Sequence, residues 1–139
     1  LLTFEHKIED KHIEVQVELP ENEVKGFADP DAITQVATNL IDNAVQFCNE
    51  GGRLRLALTQ AGDRALVTVE NTGQTIPEEE LQLIFDRFHK TDKSRSTDRD
   101  GVGLGLYIVK TIVLAHGEDI YVTSHDGKTE FTFTMPLKK

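Results

Sequence analysis

The sequence predicts an α+β fold, a two-layer sandwich in which helices cover one face of a mixed sheet. Three observations carry that prediction. Strands and helices are interleaved along the chain, strand pairs lie close enough in sequence to be hairpins, and the longest helix presents one apolar stripe. With 139 residues and 38% hydrophobic content, residues 1–139 make one domain with a real core.

His12 to Leu19 alternates Ile13, Val15, Val17 and Leu19 with polar partners, the pattern of a half-buried strand, and Val24 to Ala28 is a short second strand. Asp29-Pro30-Asp31 opens a helix with an N-cap acid and a proline in the first turn. That helix runs to about Cys48, and Ile33, Val36, Leu40, Ala44 and Phe47 recur on one side of it. Glu50-Gly51-Gly52 breaks it, and strands Arg53 to Thr59 and Ala65 to Glu70 form a hairpin around Ala61-Gly62-Asp63. Pro77 to Phe88 reads as a short helix opened by proline and three glutamates. Lys90 to Asp100 has no periodicity, and long connections of this kind are often binding lids. A further helix runs to about His116 and stops at Gly117, which suits a left-handed cap. Strands Ile120 to Ser124 and Thr129 to Met135 close the chain around Asp126-Gly127.

The formal charge of −9 argues against a nucleic-acid partner, because phosphates meet a repulsive field. Apolar runs stay well short of a membrane span and the given residues do not open with a charged-then-apolar leader, so the expectation is a soluble fragment of a longer chain. The lone Cys48 excludes an internal disulfide framework and reads as a small buried apolar side chain.

Four constellations point to an anionic ligand. Gly101, Gly103 and Gly105 leave backbone amides bare, permit φ > 0 and deliver the chain to a helix N-terminus, a cradle for phosphate. Asn39 and Asn43 share one face of the first long helix, where two carboxamide oxygens can ligate a hard cation such as Mg²⁺. Asn71 ends a strand where its carbonyl oxygen can accept from an exocyclic amine, and Gly73 lets a flat ring approach the backbone. Lys90, Lys93 and Arg95 supply local positive charge just before the glycines. Each has a plain alternative: a flexible loop, two surface asparagines, an ordinary strand-to-helix turn, a solvated mixed-charge segment. Together, in this order, they compose one nucleotide site.

These motifs resemble those of the catalytic, ATP-binding domain of bacterial sensor histidine kinases, in the superfamily that includes gyrase and MutL. Asn39-Leu40-Ile41-Asp42-Asn43-Ala44 is similar to its N box, Asn71 to Ile76 to its G1 box, Ile84 to Phe88 to its F box, and Asp100 to Leu106 to its G2 box; Gly127 to Phe133 resembles its closing segment. The resemblance implies a Bergerat-type fold, about five strands under three helices with an ATP lid. It implies ATP and Mg²⁺ as cofactors, with Asn39 and Asn43 handling metal and phosphates. Asn71 and Gly73 would then meet adenine, and Gly101, Gly103 and Gly105 would wrap the phosphates, with charge from the lid cations Lys90, Lys93 or Arg95 where Gln46 lacks it. Ile76, Phe88, Val102, Leu104, Leu106 and Thr129 would be further nucleotide-binding residues.

In the related ATPases the position matching Asn39 is a glutamate that activates water. An amide cannot act as that base, so if the site is a kinase, as the resemblance implies, hydrolysis is suppressed and the γ-phosphoryl awaits a protein nucleophile. Three residues depart from the family pattern: Asn71 replaces the G1 aspartate, Thr75 the second G1 glycine, and Gln46 a frequent Lys or Arg. None of His6, His12, His89, His116 or His125 has the setting of the family's phosphoacceptor. The implied partners are therefore the dimerisation/phosphoacceptor domain of a homodimeric parent, held in the bacterial cytoplasmic membrane with this domain in the cytoplasm, and a response regulator. The fragment itself is expected to be monomeric. Alternatives are a docking module of the same fold without kinase activity, and a serine kinase of the anti-sigma-factor type.

Overall fold

The computed structural model describes residues 2–19, 30–81, 83–85 and 102–136. Along them run α1 (Leu2–Asp10), β1 (Glu14–Glu18), α2 (Pro30–Phe47), β2 (Arg53–Ala61), β3 (Arg64–Thr72), α3 (Glu78–Leu81), α4 (Val102–Ala115), β4 (Ile120–His125) and β5 (Lys128–Pro136). The sheet has five strands in the order β1-β2-β3-β5-β4. β1 is parallel to β2 and every other pairing is antiparallel, so the sheet is mixed.

Alternation sorts the sheet into two faces. Leu56, Val69, Phe131 and Val122 stand side by side across four strands on the helix-facing side. Over them lie Val36, Leu40, Ala44 and Val45 of α2 and Leu106, Val109 and Val113 of α4, all in one core cluster. Phe131 and Phe133 are its largest side chains, and burying each contributes roughly 1.5–3 kcal/mol. Phe85 meets Phe131 edge-on with ring centroids 5.9 Å apart, anchoring the segment after α3 to the sheet. The other face is polar. Arg55 reaches Glu18 at 3.4 Å, and Glu70 stands opposite Glu130, whose carboxyl is pushed up by burial, then by hydrogen bonding to Glu70 and by its charge.

Turn chemistry explains the joints. Gly62 (φ 61) turns the β2–β3 hairpin, and Asp126 (φ 54) with Gly127 (φ 75) turn β4 into β5. Gly117 (φ 74) caps α4, with Glu118 N–H donating to Val113 O and Gly117 N–H to Leu114 O. The same motif ends α1, where His12 (φ 56) takes the left-handed position, Ile13 N–H donates to Ile8 O and His12 N–H to Glu9 O.

Three expectations need correction, and one element, α1, answers to no expectation. β1 is not half-buried: it is the sheet's edge, its alternating Val15 and Val17 sit in register with Leu54 and Leu56, yet Val17 is 57% exposed because the described helices lie over the inner strands. Of the helix expected over Pro77 to Phe88, the described residues are α-helical over Glu78–Leu81, and Leu83 N–H donates to Glu80 O and Ile84 N–H to Leu81 O, i→i−3 bonds that tighten residues 83–85 into a turn; residues 82 and 86–88 lie outside the described residues. The last correction concerns the glycines, taken up with the site. The strand at Val24 to Ala28 and the N-cap at Asp29 fall outside the described residues. No helix among the described residues is long and apolar enough to cross a membrane.

Candidate functional site

At one end of the helix-facing side the side chains turn polar. One step along from the apolar row, Leu54, Asn71, Thr129 and Ser124 stand in register. Asn71 is 3% exposed and its Nδ2 donates to Thr72 O at 3.0 Å. That bond fixes the amide's orientation and leaves Oδ1 accepting nothing among the described residues. Thr129, 4% exposed, shares a 2.8 Å hydroxyl contact with Ser124, and Ser124 Oγ accepts from Ile76 N–H at 2.8 Å. Ser124 was not foreseen as part of the site. Its signal in the sequence was the strand alternation, which puts it two places after Val122 on the same face.

Gly73 lies where a side chain has no room: a Cβ there would be 2.5 Å from Phe47 O, and its φ is 154. The last turn of α2 thus abuts the Asn71–Gly73 turn, with Cys48 bridging to Gly73 and Asn49 N–H donating to Thr72 O at 3.3 Å. Thr75, a departure from the expected glycine, has a structural reason. Its Oγ1 accepts from Gly127 N–H at 2.8 Å while Gly73 N–H donates to Gly127 O at 2.9 Å, so the β4–β5 turn is clasped to this loop.

Asn39 and Asn43 are both half-buried on α2, one turn apart. Asn39 Nδ2 reaches Gly105 O at 3.4 Å, tying the asparagine helix to the start of α4. Asn43 makes no side-chain hydrogen bond among the described residues, whereas Asp42 beside it points to Lys7 at 3.8 Å. Gln46 is half-buried and its carbonyl accepts from Lys11 Nζ at 2.9 Å.

Here the glycine expectation is corrected. Val102, Gly103, Leu104, Gly105 and Leu106 form the first turns of α4 rather than a loop before it. Gly105 has no positive φ and a Cβ there would meet nothing within 4 Å, so among the described residues neither backbone conformation nor packing demands a glycine at this position. Leu106 points into the core. Phe88, Lys90, Lys93, Arg95 and Gly101 fall outside the described residues.

The donor set suits a cation brought in with phosphates rather than one caged by protein. Among the described residues no three of His, Cys, Asp or Glu cluster, and the oxygens on offer are the amides of Asn39 and Asn43. Mg²⁺ accepts such neutral oxygens while keeping waters and phosphate ligands.

Comparison with known proteins fits this geometry. Residues 28–139 match the family described as histidine kinase-, DNA gyrase B- and HSP90-like ATPase. The sensor histidine kinase WalK of Bacillus subtilis is 38% identical over 133 residues, covering 94% of this chain and 22% of WalK, so the chain spans about a fifth of that relative. The solved catalytic domain of histidine kinase ThkA superposes with a TM-score of 0.83 at 31% identity, covering 97% of this chain and 86% of that one. A structure of ThkA in complex with the response regulator protein TrrA gives a TM-score of 0.80 at 29% identity, covering 99% of this chain and 38% of that one. The chain belongs to the histidine kinase-, DNA gyrase B- and HSP90-like ATPase family, and within it to the catalytic domains of sensor histidine kinases.

Proposed function

We propose that this domain binds Mg·ATP and passes the γ-phosphoryl group to a histidine on the dimerisation domain of a homodimeric parent kinase, for relay to a response regulator. The observation that carries the proposal is Asn39, whose Nδ2 lies against Gly105 O and so joins the asparagine helix to the glycine helix. Adenine lies at the Asn71 end, where Oδ1 accepts from the exocyclic amine, Gly73 and Ile76 flank the ring, and the Thr129–Ser124 pair offers hydroxyls. The phosphates extend toward Asn39, Asn43, Gln46 and the first turns of α4, where the N-terminal amides favour anions. Phe88, Lys90, Lys93, Arg95 and Gly101 are proposed as further nucleotide-binding residues on the strength of the family motifs. Asn43 and Asn39 would hold Mg²⁺, which would supply charge neutralisation on the phosphoryl oxygens.

Catalysis by this chain is then positioning and electrostatics. Asn39 and Asn43 orient the triphosphate, and neither amide can take a proton from water, so transfer waits for an imidazole to arrive. The parent sits in the bacterial cytoplasmic membrane with this domain in the cytoplasm; the isolated domain is a monomer.

The test is to mix the chain with a separately supplied histidine-kinase acceptor hairpin and γ-labelled ATP. Acid-labile, base-stable label on the hairpin is expected. Tight ATP binding without transfer would sink the kinase reading, and acid-stable label would point to a serine acceptor.

A further inference from the structure

The C-terminus of α2 is held by a residue from outside it. α2 has no basic residue in its own last turn. Instead Lys11, in the link between α1 and β1, inserts its ammonium there, and its three donors reach Val45 O at 3.1 Å, Gln46 O at 2.9 Å and Cys48 O at 3.1 Å. The carbonyl missing from that set, Phe47 O, faces the other way, toward Gly73. The last turn of α2 is therefore clamped between Lys11 and the turn that carries Asn71.

Lys11 is fixed in its turn. Its own carbonyl accepts from Gly51 N–H at 2.7 Å, beside the α2–β2 connection. Lys7, four residues earlier on α1, reaches Asp42 at 3.8 Å, next to Asn43. A cation among helix C-terminal carbonyls opposes their partial negative charge and satisfies groups that otherwise need water.

We propose that Lys11 is a positioning residue for the nucleotide site: it sets how closely the last turn of α2 sits against the Asn71–Gly73 turn, and so couples the placement of α1 to nucleotide affinity. The proposal rests on the nucleotide-binding reading above. Lys11 touches no ligand; it acts through the backbone of residues 45–48.

The experiment titrates the 139-residue chain with the non-hydrolysable analogue AMPPNP and Mg²⁺, well below the melting temperature, as wild type, K11M and K11R. K11M, which keeps the alkyl stem, is expected to bind roughly tenfold more weakly, with K11R restoring most of the affinity because it keeps the charge. A merely structural role would lower the melting temperature of K11M while leaving the affinity of the folded protein unchanged, and that result overturns the proposal. Absence of binding by the wild type overturns the site reading instead, so the two failures are distinguishable. If neither variant folds, the unmutated chain decides by reciprocity. AMPPNP should slow hydrogen exchange at Gly51 and Ile13 N–H as well as at residues 71–73; protection confined to residues 71–73 overturns the coupling.

Discussion

At the sheet end of the site, Asn71 and Thr129 are almost fully buried, and every neighbour is tied by a bond of 3.0 Å or less: Asn71 to Thr72 O, Thr129 to Ser124, Ser124 to Ile76 N–H. On the helices, Asn39 and Asn43 are half-buried, and beyond the apolar packing of α2 on α4 the side-chain hydrogen bond that joins them among the described residues is a long one, 3.4 Å from Asn39 to Gly105 O. The first region is preorganised, so it presents a fixed acceptor before any ligand arrives. The second offers amides and open space over Gly105, whose arrangement a ligand and its cation must complete. Rigidity at one end and adaptability at the other suit a nucleotide, whose base is flat and invariant while its phosphates change during the reaction.

The sharpest way to break the sheet end is Gly73→Ala. A Cβ 2.5 Å from Phe47 O must push α2 away from the turn, costing roughly 2–4 kcal/mol of unfolding free energy. Denaturant unfolding should show that loss, together with loss of nucleotide binding. Asn71→Ala is gentler: it removes the open acceptor and one of the two donors to Thr72 O, leaving Asn49 N–H, so affinity for ADP should fall on the order of tenfold. Unchanged affinity by calorimetry would remove Asn71 from the site.

The helix end is separated from the sheet end by its cation dependence. Asn39→Ala and Asn43→Ala should each weaken ATP binding by roughly tenfold in Mg²⁺ and much less in EDTA. Equal losses in both conditions would mean the amides contact the nucleotide without the metal.

Glu130 lies on the opposite face of the sheet and serves as a control for both ends. Its folded-state carboxyl titrates above the ordinary glutamate value, chiefly through burial and then through Glu70. The stability linked to its proton is present below the unfolded value and is lost as pH rises through the raised one. Glu130→Gln, which stays neutral, should therefore gain relative to wild type as pH rises from the ordinary glutamate value through the raised one, by only a few tenths of a kcal/mol because the pair is partly solvated. Chemical unfolding at a series of pH values measures this, and nucleotide affinity should not move.

The same contrast explains what the sequence could and could not tell. The hairpins, α2 and the Gly117 cap were legible because alternation, helical period and turn residues are local signals. Asn71 was legible as a candidate, but its buried, oriented amide depends on Thr72 and on register with Thr129, which no local pattern encodes. The partnership of Thr75 with Gly127 is a contact across 52 positions, so the substitution looked like a departure when it is a clasp. β1 misled because alternation marks which way residues face, not whether anything covers them; at a sheet edge Val17 faces the helix side and stays exposed. The glycines misled for the opposite reason. Three of them suggested an irregular loop, yet Gly103 and Gly105 are helical, because glycine permits φ > 0 without requiring it.

The most direct test of a fixed acceptor at the sheet end is a calorimetric comparison of ATP with GTP on the wild-type chain, each with and without Mg²⁺. Asn71 Oδ1 accepts from the amine of adenine but opposes the C6 carbonyl of guanine, so ATP should bind in both conditions, more tightly with Mg²⁺, and GTP at least about tenfold more weakly. Equal heats for the two nucleotides, or no binding of ATP at millimolar concentration, would contradict the account.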